Sequence, residues 1–400
     1  MDAPPAIPPQ SPKQRLASAD AYRGLVMFLM MAEVLRIAKV AAGFPGNAVW
    51  EALKFHTSHV EWTGCSLHDL IQPSFSFLVG VALPFSIAAR AARGQSRGVM
   101  TLHACWRAAV LVLLGVFLRS VGKSETNWTF EDTLSQIGLG YAFLFALGFA
   151  PRRWQWVALA VILSGCWLVW ALWPVAPADF DFEKVGVSAE WLKQHGLSGF
   201  AAHWQKNANA GFAFDQWLGL YVHRAAPYNA GGYLTLNFIP TLGTMLLGLL
   251  AGGWLREESD AGEKIAKLGA ASVACFALGG ALHMLGLCPI VKRIWTPGWV
   301  LFSGGWCFAL LAAFYLVMDA GGVRRWAFPL TVIGMNSIAA YVIAHLFHGF
   351  INDSLKTHLG AGFFDFAGKP LAPLMQGAAV LLIYWLILFW MHRRKIFLRI

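Results

Sequence analysis

The chain has 400 residues, 57% of them apolar and only 13% charged, with a mean hydropathy of +0.54. That is more apolar surface than a single water-soluble core can bury, so the composition excludes a soluble globular enzyme and makes lipid the solvent. The formal charge of +10 would suit a nucleic-acid partner in a soluble protein. Here the Lys and Arg residues fall between apolar runs and read as topology signals, so no nucleic-acid partner is expected.

Residues 1–20 are rich in proline and lack a short apolar core ending in a cleavage site. They read as a flexible cytosolic tail, not as a removable signal peptide. A spanning helix needs about 20 mainly apolar residues to cross about 30 Å of hydrocarbon. Such runs occur at about 21–42, 67–89, 100–120, 133–150, 153–174, 234–255, 265–287, 298–318, 327–351 and 371–391. The expected fold is an all-α integral membrane protein, a bundle of about ten transmembrane helices in one domain over residues 15–400. Basic groups at Arg15, at Arg90, Arg93, Arg97 and Arg107, at Arg152 and Arg153, at Arg256, at Arg324 and Arg325, and at Arg393 to Lys395 place both termini in the cytosol by the positive-inside rule. Residues 43–66, 121–132, 175–233, 288–297 and 352–370 then face the exterior. The longest of these, 175–233, is expected to form a partly ordered cap, because long loops without a function are uncommon.

Several polar groups interrupt this pattern. In the first span, Glu33, Arg36 and Lys39 are costly at membrane depth, at roughly 2.5 to 3.5 kcal/mol for a charge at a helix centre. Glu33 and Arg36 can pair on one helix face and Lys39 can snorkel, which leaves a structural ion pair or a cavity-lining role open. Ahead of the second span, His59 precedes Asp69 by ten residues. A carboxylate bonded to an imidazole fixes its tautomer and would let His59 take a proton from a hydroxyl or amine. Spacing alone equally allows an exposed loop histidine and a carboxylate placed at a helix N-terminus.

The six cysteines lie in or beside apolar segments with no CxxC pair, so neither a disulfide framework nor a metal site is expected. Lys292, Arg293, Trp295, Thr296 and Trp299 combine cations with indoles, a set suited to an anionic or sugar-like ligand or to an interfacial aromatic belt. Asn336, Ser337, Tyr341, His345 and His348 form a polar stripe along the ninth run that must face protein or water.

Three stretches together carry a family likeness: Arg15 to Gly24 with Ser18, Asp20 and Arg23; His59 to Pro73 with Trp62, Gly64 and Asp69; and Trp295-Thr296 followed by Gly334-Met335-Asn336-Ser337 and Arg394 to Phe397. In this order they resemble the heparan-α-glucosaminide N-acetyltransferase family and its bacterial relatives, membrane enzymes of the transmembrane acyltransferase kind. The resemblance implies transfer of an acetyl group from cytosolic acetyl-CoA to an amino or hydroxyl group of a sugar or glycan on the far side of a bacterial cytoplasmic (inner) membrane. It implies His59 as the catalytic residue and Asp69 as its partner, with Arg23, Glu33, Trp295, Thr296, Asn336 and His345 around donor and acceptor. A homodimer is compatible with it. The chain departs from the family pattern at Glu33-Val34, at Ser135-Gln136 and at Asn229 to Gly232, and these departures bear on the acceptor more than on the donor. From the residues alone, a transporter or flippase of a sugar-containing or anionic solute remains the alternative, and a scaffold that binds a sugar lipid is a third.

Overall fold

A computed structural model describes residues 16–360 and 362–398. Arg15 and the preceding part of the expected tail lie outside these residues. The tail expectation ends early, because the first helix starts at Ala17 with Ser18, Asp20 and Tyr22 already buried.

In chain order the helices are α1 (Ala17–Met31), α2 (Ile37–Ala42), α3 (Ala48–His56), α4 (Ile71–Ala91), α5 (Arg97–Ser120), α6 (Thr133–Leu147), α7 (Arg152–Leu172) and α8 (Ala189–His195). They continue as α9 (Ala210–Leu218), α10 (Phe238–Arg256), α11 (Ala261–Met284), α12 (Pro297–Tyr315), α13 (Phe328–Met335), α14 (Ser337–Leu346), α15 (His348–Leu359) and α16 (Ala372–Arg393). The described residues contain no strand, only one antiparallel bridge between Thr63 and Val291.

Seven of these segments are long and apolar enough to cross a membrane, and the pair α13–α14 makes an eighth if counted as one bent span. The protein is thus an all-helical membrane protein, but ten uninterrupted spans do not form. Three of the ten apolar runs are cut short, each for a local reason. The run at 21–42 breaks after α1 into a 3-10 turn, and Arg36 then takes a left-handed conformation (φ 51°) that an α-helix cannot contain. The run at 133–150 yields a 15-residue helix that ends before Pro151, which caps α7. At about 1.5 Å per residue it is too short to cross. The run at 327–351 bends by 67° at Asn336.

α10 is the central post. Of its most apolar stretch 83% is buried, against 22% or less for α5, α7, α11 and α16. Those outer helices turn Leu102, Phe117, Val161, Val273 and Leu382 outward, as a lipid-facing surface requires. α4 lies against α10 with its backbone almost in contact. A methyl group at Gly80 would fall 1.9 Å from the Met245 carbonyl oxygen, and one at Gly248 would fall 1.9 Å from that of Phe77. Small residues are what allow two membrane helices to approach this closely. α1 and α13 meet in the same way through Gly24 and Gly334.

The stretch 175–233 folds as a cap containing α8 and α9. Trp62 Nε1 donates to the Trp204 carbonyl at 3.2 Å, and Arg224 pairs with Glu131 and, at 3.5 Å, with Asp215. The cap therefore rests on the loops that follow α3 and α5.

Because rigid backbone stands on both sides of the α4–α10 contact, Gly248→Ala is expected to destabilise the protein by about 1–3 kcal/mol. Thermal unfolding in detergent should show the lower transition, with a smaller change for Ala at the open position Gly280.

Candidate active site

Asp69 sits in the 3-10 turn His68–Leu70 that runs directly into α4, and it is fully buried. Its Oδ2 accepts from the backbone N–H of Ser66 (3.0 Å) and of Val60 (3.2 Å) and lies 2.9 Å from Ser66 Oγ. Its Oδ1 lies 2.8 Å from His59 Nδ1. This bond assigns the neutral ring's proton to Nδ1 and leaves the lone pair on Nε2. The His59 side chain is 37% exposed while Asp69 has no exposure, so the carboxylate is shielded and the ring is presented to a ligand.

A third charged group completes the arrangement. Lys292 Nζ lies 3.0 Å from His59 Nδ1, 3.5 Å from Nε2 and 3.5 Å from Asp69 Oδ1, and its side chain is 4% exposed. Lys292 reaches His59 because the segment between α11 and α12 pairs with the loop before α4, through the Thr63–Val291 bridge and a bond from Gly64 N–H to the Ile290 carbonyl at 3.0 Å. Arg293 adds bonds to the carbonyls of Val60 and Gly231 and holds the cap to the same loop. Burial pushes the His59 imidazole below its ordinary pKa. The bond to Asp69 opposes this, and the Lys292 charge adds to it. The ring is therefore neutral at neutral pH, the form that can act as base or nucleophile.

On the other side of His59 lies His68, with ring centroids 4.4 Å apart. His68 Nε2 is 3.2 Å from Glu33 Oε1. Of the two roles left open for Glu33, pairing with Arg36 is replaced by pairing with His68, because the left-handed turn at Arg36 ends the helix that would have stacked the two residues. His345 stacks on Tyr341 (4.1 Å between ring centroids) and its Nδ1 contacts the Tyr341 carbonyl.

Other residues singled out by sequence have supporting positions. Trp295 is 1% exposed and donates to Thr244 Oγ1 on α10 at 3.1 Å, so it anchors the Lys292 segment and does not line an open mouth. Thr296 caps α12 by accepting from Trp299 N–H. Arg23 and Asn336 lie away from His59. Arg23 pairs with Asp20 at 3.2 Å, and Asn336 at the α13–α14 bend bonds the Ile396 carbonyl and the Leu398 N–H.

Arg23 lines a cavity of about 650 Å³ that also receives Arg90, Arg93 and Arg107, with Asp20 as its one acid. Arg107 Nε is buried and lacks a hydrogen-bond partner among the described residues. On α4 the lining starts at Phe75, six residues past Asp69, and continues to Arg90. By helical rise, that places the inner end of the cavity about 9 Å from Asp69 and its far end about 22 Å further along. At the junction of α1, α4 and α12 lies a cluster of buried side chains. In it Tyr22 donates to Ser74 Oγ at 2.8 Å, Cys307 lies behind Ser74, and Phe77 packs on Phe308.

No family model matches the chain. It is 25% identical over 444 residues to the human heparan-α-glucosaminide N-acetyltransferase, a match covering 99% of this chain and 60% of the human protein. The mouse protein of the same name is 25% identical over 373 residues, covering 83% of this chain and 54% of its own length. The chain is a distant relative of these acetyltransferases. It spans little more than half the length of either relative.

Sequence reasoning singled out His59 and Asp69 as a pair but gave no role to His68 and did not join Lys292 to them. Lys292 stood out only as a cation in a tryptophan-rich loop, and 233 residues separate it from His59.

Lys292→Met removes a like charge beside the ring, so the His59 pKa should rise. The neutral fraction of His59 would then appear at higher pH. Residue-resolved carbethoxylation followed by mass spectrometry should show the His59 profile moved toward alkaline pH, with those of distant histidines unmoved.

Proposed function

We propose that this protein is a membrane-bound acetyltransferase that moves an acetyl group from cytosolic acetyl-CoA to an amino or hydroxyl group of a sugar on the exterior side of a bacterial cytoplasmic membrane. The observation that carries this reading is the placement, along the single helix α4, of a neutral carboxylate-oriented imidazole at one end and an arginine-lined cavity at the other.

The cavity volume lies within the range of about 300–1,000 Å³ common for ligand sites. Guanidinium groups match the pyrophosphate and 3′-phosphate of CoA in geometry as well as charge, and the unpartnered Arg107 Nε offers a donor. With the nucleotide held near Arg90, Arg93 and Arg107, the pantetheine arm points along α4 toward Asp69 and His59. His59 Nε2 then acts as general base toward the acceptor, or receives the acetyl group first and passes it on. Asp69 holds the ring and stabilises the imidazolium that forms. Lys292 Nζ, 3.5 Å from Nε2, is placed to stabilise negative charge on the carbonyl oxygen as the thioester is attacked. The names of the relatives support acetyl transfer to a glucosaminide, and the acceptor of this chain is proposed in the same class.

The transporter alternative would place its solute at a broken helix. At the α13–α14 break, the Asn336 amide already serves the Ile396 carbonyl and the Leu398 N–H.

His59→Ala is expected to keep CoA binding and to lower transfer of labelled acetyl by about 10²- to 10⁴-fold. Wild-type rates in that variant would overturn the assignment. CoA should raise the thermal transition of the purified protein, since a ligand bound only by the folded state stabilises it. Arg107→Met should shrink that rise while leaving the unliganded transition near its original temperature, and a protein unaffected by CoA would favour the transporter.

A further inference from the structure

The site holds two imidazole–carboxylate pairs side by side, and they differ in one respect. In His59–Asp69 the carboxylate is sealed off and the ring is partly open. In His68–Glu33 the order is reversed: the His68 side chain is 10% exposed and that of Glu33 is 58% exposed. The two rings are 4.4 Å apart and tilted by 51°, and His68 Nε2 lies 3.2 Å from Glu33 Oε1. A line of titratable groups therefore runs from His59 through His68 to a carboxylate exposed at the protein surface. Lys292 and Asp69 face His59 from the opposite side, and His345 and Tyr341 on α14 are further titratable neighbours of Glu33.

We propose that His68 and Glu33 form a proton outlet for the acetyl-transfer site, which serves an amine acceptor arriving as an ammonium ion. This rests on the acetyltransferase reading above. The atoms balance as R–NH3⁺ plus acetyl-CoA giving R–NH–acetyl, CoA thiol and one H⁺. A C–N bond forms and the C–S bond breaks. His59 takes one proton from the attacking nitrogen and returns it to the leaving thiolate. The other ammonium proton must leave before the nitrogen has a lone pair to attack with, and it passes through His68 to Glu33 and into water. A hydroxyl acceptor releases no net proton and would have no use for the outlet.

The test uses the full chain in detergent, labelled acetyl-CoA, glucosamine as the probe acceptor, weak buffer and a pH at which the amine is protonated. His68→Ala and Glu33→Gln are each expected to lower kcat about tenfold, less than the roughly 10²- to 10⁴-fold of a group that moves the proton in the transition state itself, with KM for acetyl-CoA unchanged. Added imidazole should restore the rate of His68→Ala and leave the wild type unaffected, which a purely structural role would not produce. His68→Gln and the CoA-induced thermal shift check that the variants fold. Variants that keep the wild-type kcat in weak buffer, or a folded His68→Ala whose loss imidazole does not restore, would overturn the outlet while the His59 assignment stands. Full activity in His59→Ala would instead remove the reading on which the outlet rests.

Discussion

The arrangement of the site depends on one buried charge. Asp69 has no exposed surface, and a carboxylate in such a place is tolerated only when its oxygens are fully bonded. Its partners come from three separate stretches of chain: Val60 and His59 from the loop before α4, Ser66 from the turn just ahead of it, and Lys292 from the segment before α12. Satisfying Asp69 draws these stretches onto the first turn of α4. The Thr63–Val291 bridge, the Arg293 contacts and the anchoring of Trp295 in α10 follow from the same convergence. One carboxylate thus meets two requirements, since Asp69 both organises the loops and fixes the tautomer of His59.

Much of the architecture could be read from composition, because apolar runs and the basic residues between them are strong signals. The limits of that reading lie where local conformation overrides hydropathy. The run at 21–42 is apolar enough to span, yet hydropathy carries no trace of the left-handed Arg36 that breaks it or of the pairing that turns Glu33 toward His68. The 15-residue α6 and the bend at Asn336 were hidden in the same way, by a short helix ended near Pro151 and by a backbone break filled from the C-terminal segment.

For the site, His59 and Asp69 stood out because one short segment holds both and a family likeness points to them. Lys292 could not be joined to them from sequence, since its contact is made across the fold and nothing in its neighbours gives the distance. Trp295 and Thr296 were visible as motif residues, but a motif does not separate a residue that touches a ligand from one that positions its neighbour. Burial and the bonds to Thr244 and Trp299 N–H make that separation.

The buried cluster of Tyr22, Ser74, Cys307, Phe77 and Phe308 has a consequence for the membrane itself. An arginine-lined cavity reaching most of the way along α4, with a titratable cluster just beyond its inner end, would be a leak if water filled the space between them. Tyr22 donates to Ser74 Oγ and Phe77 packs edge-on against Phe308, so the polar groups of this cluster are paired and the rest of it is apolar. Their burial keeps the junction of three helices free of exposed polar groups, a requirement that holds whatever chemistry the site performs.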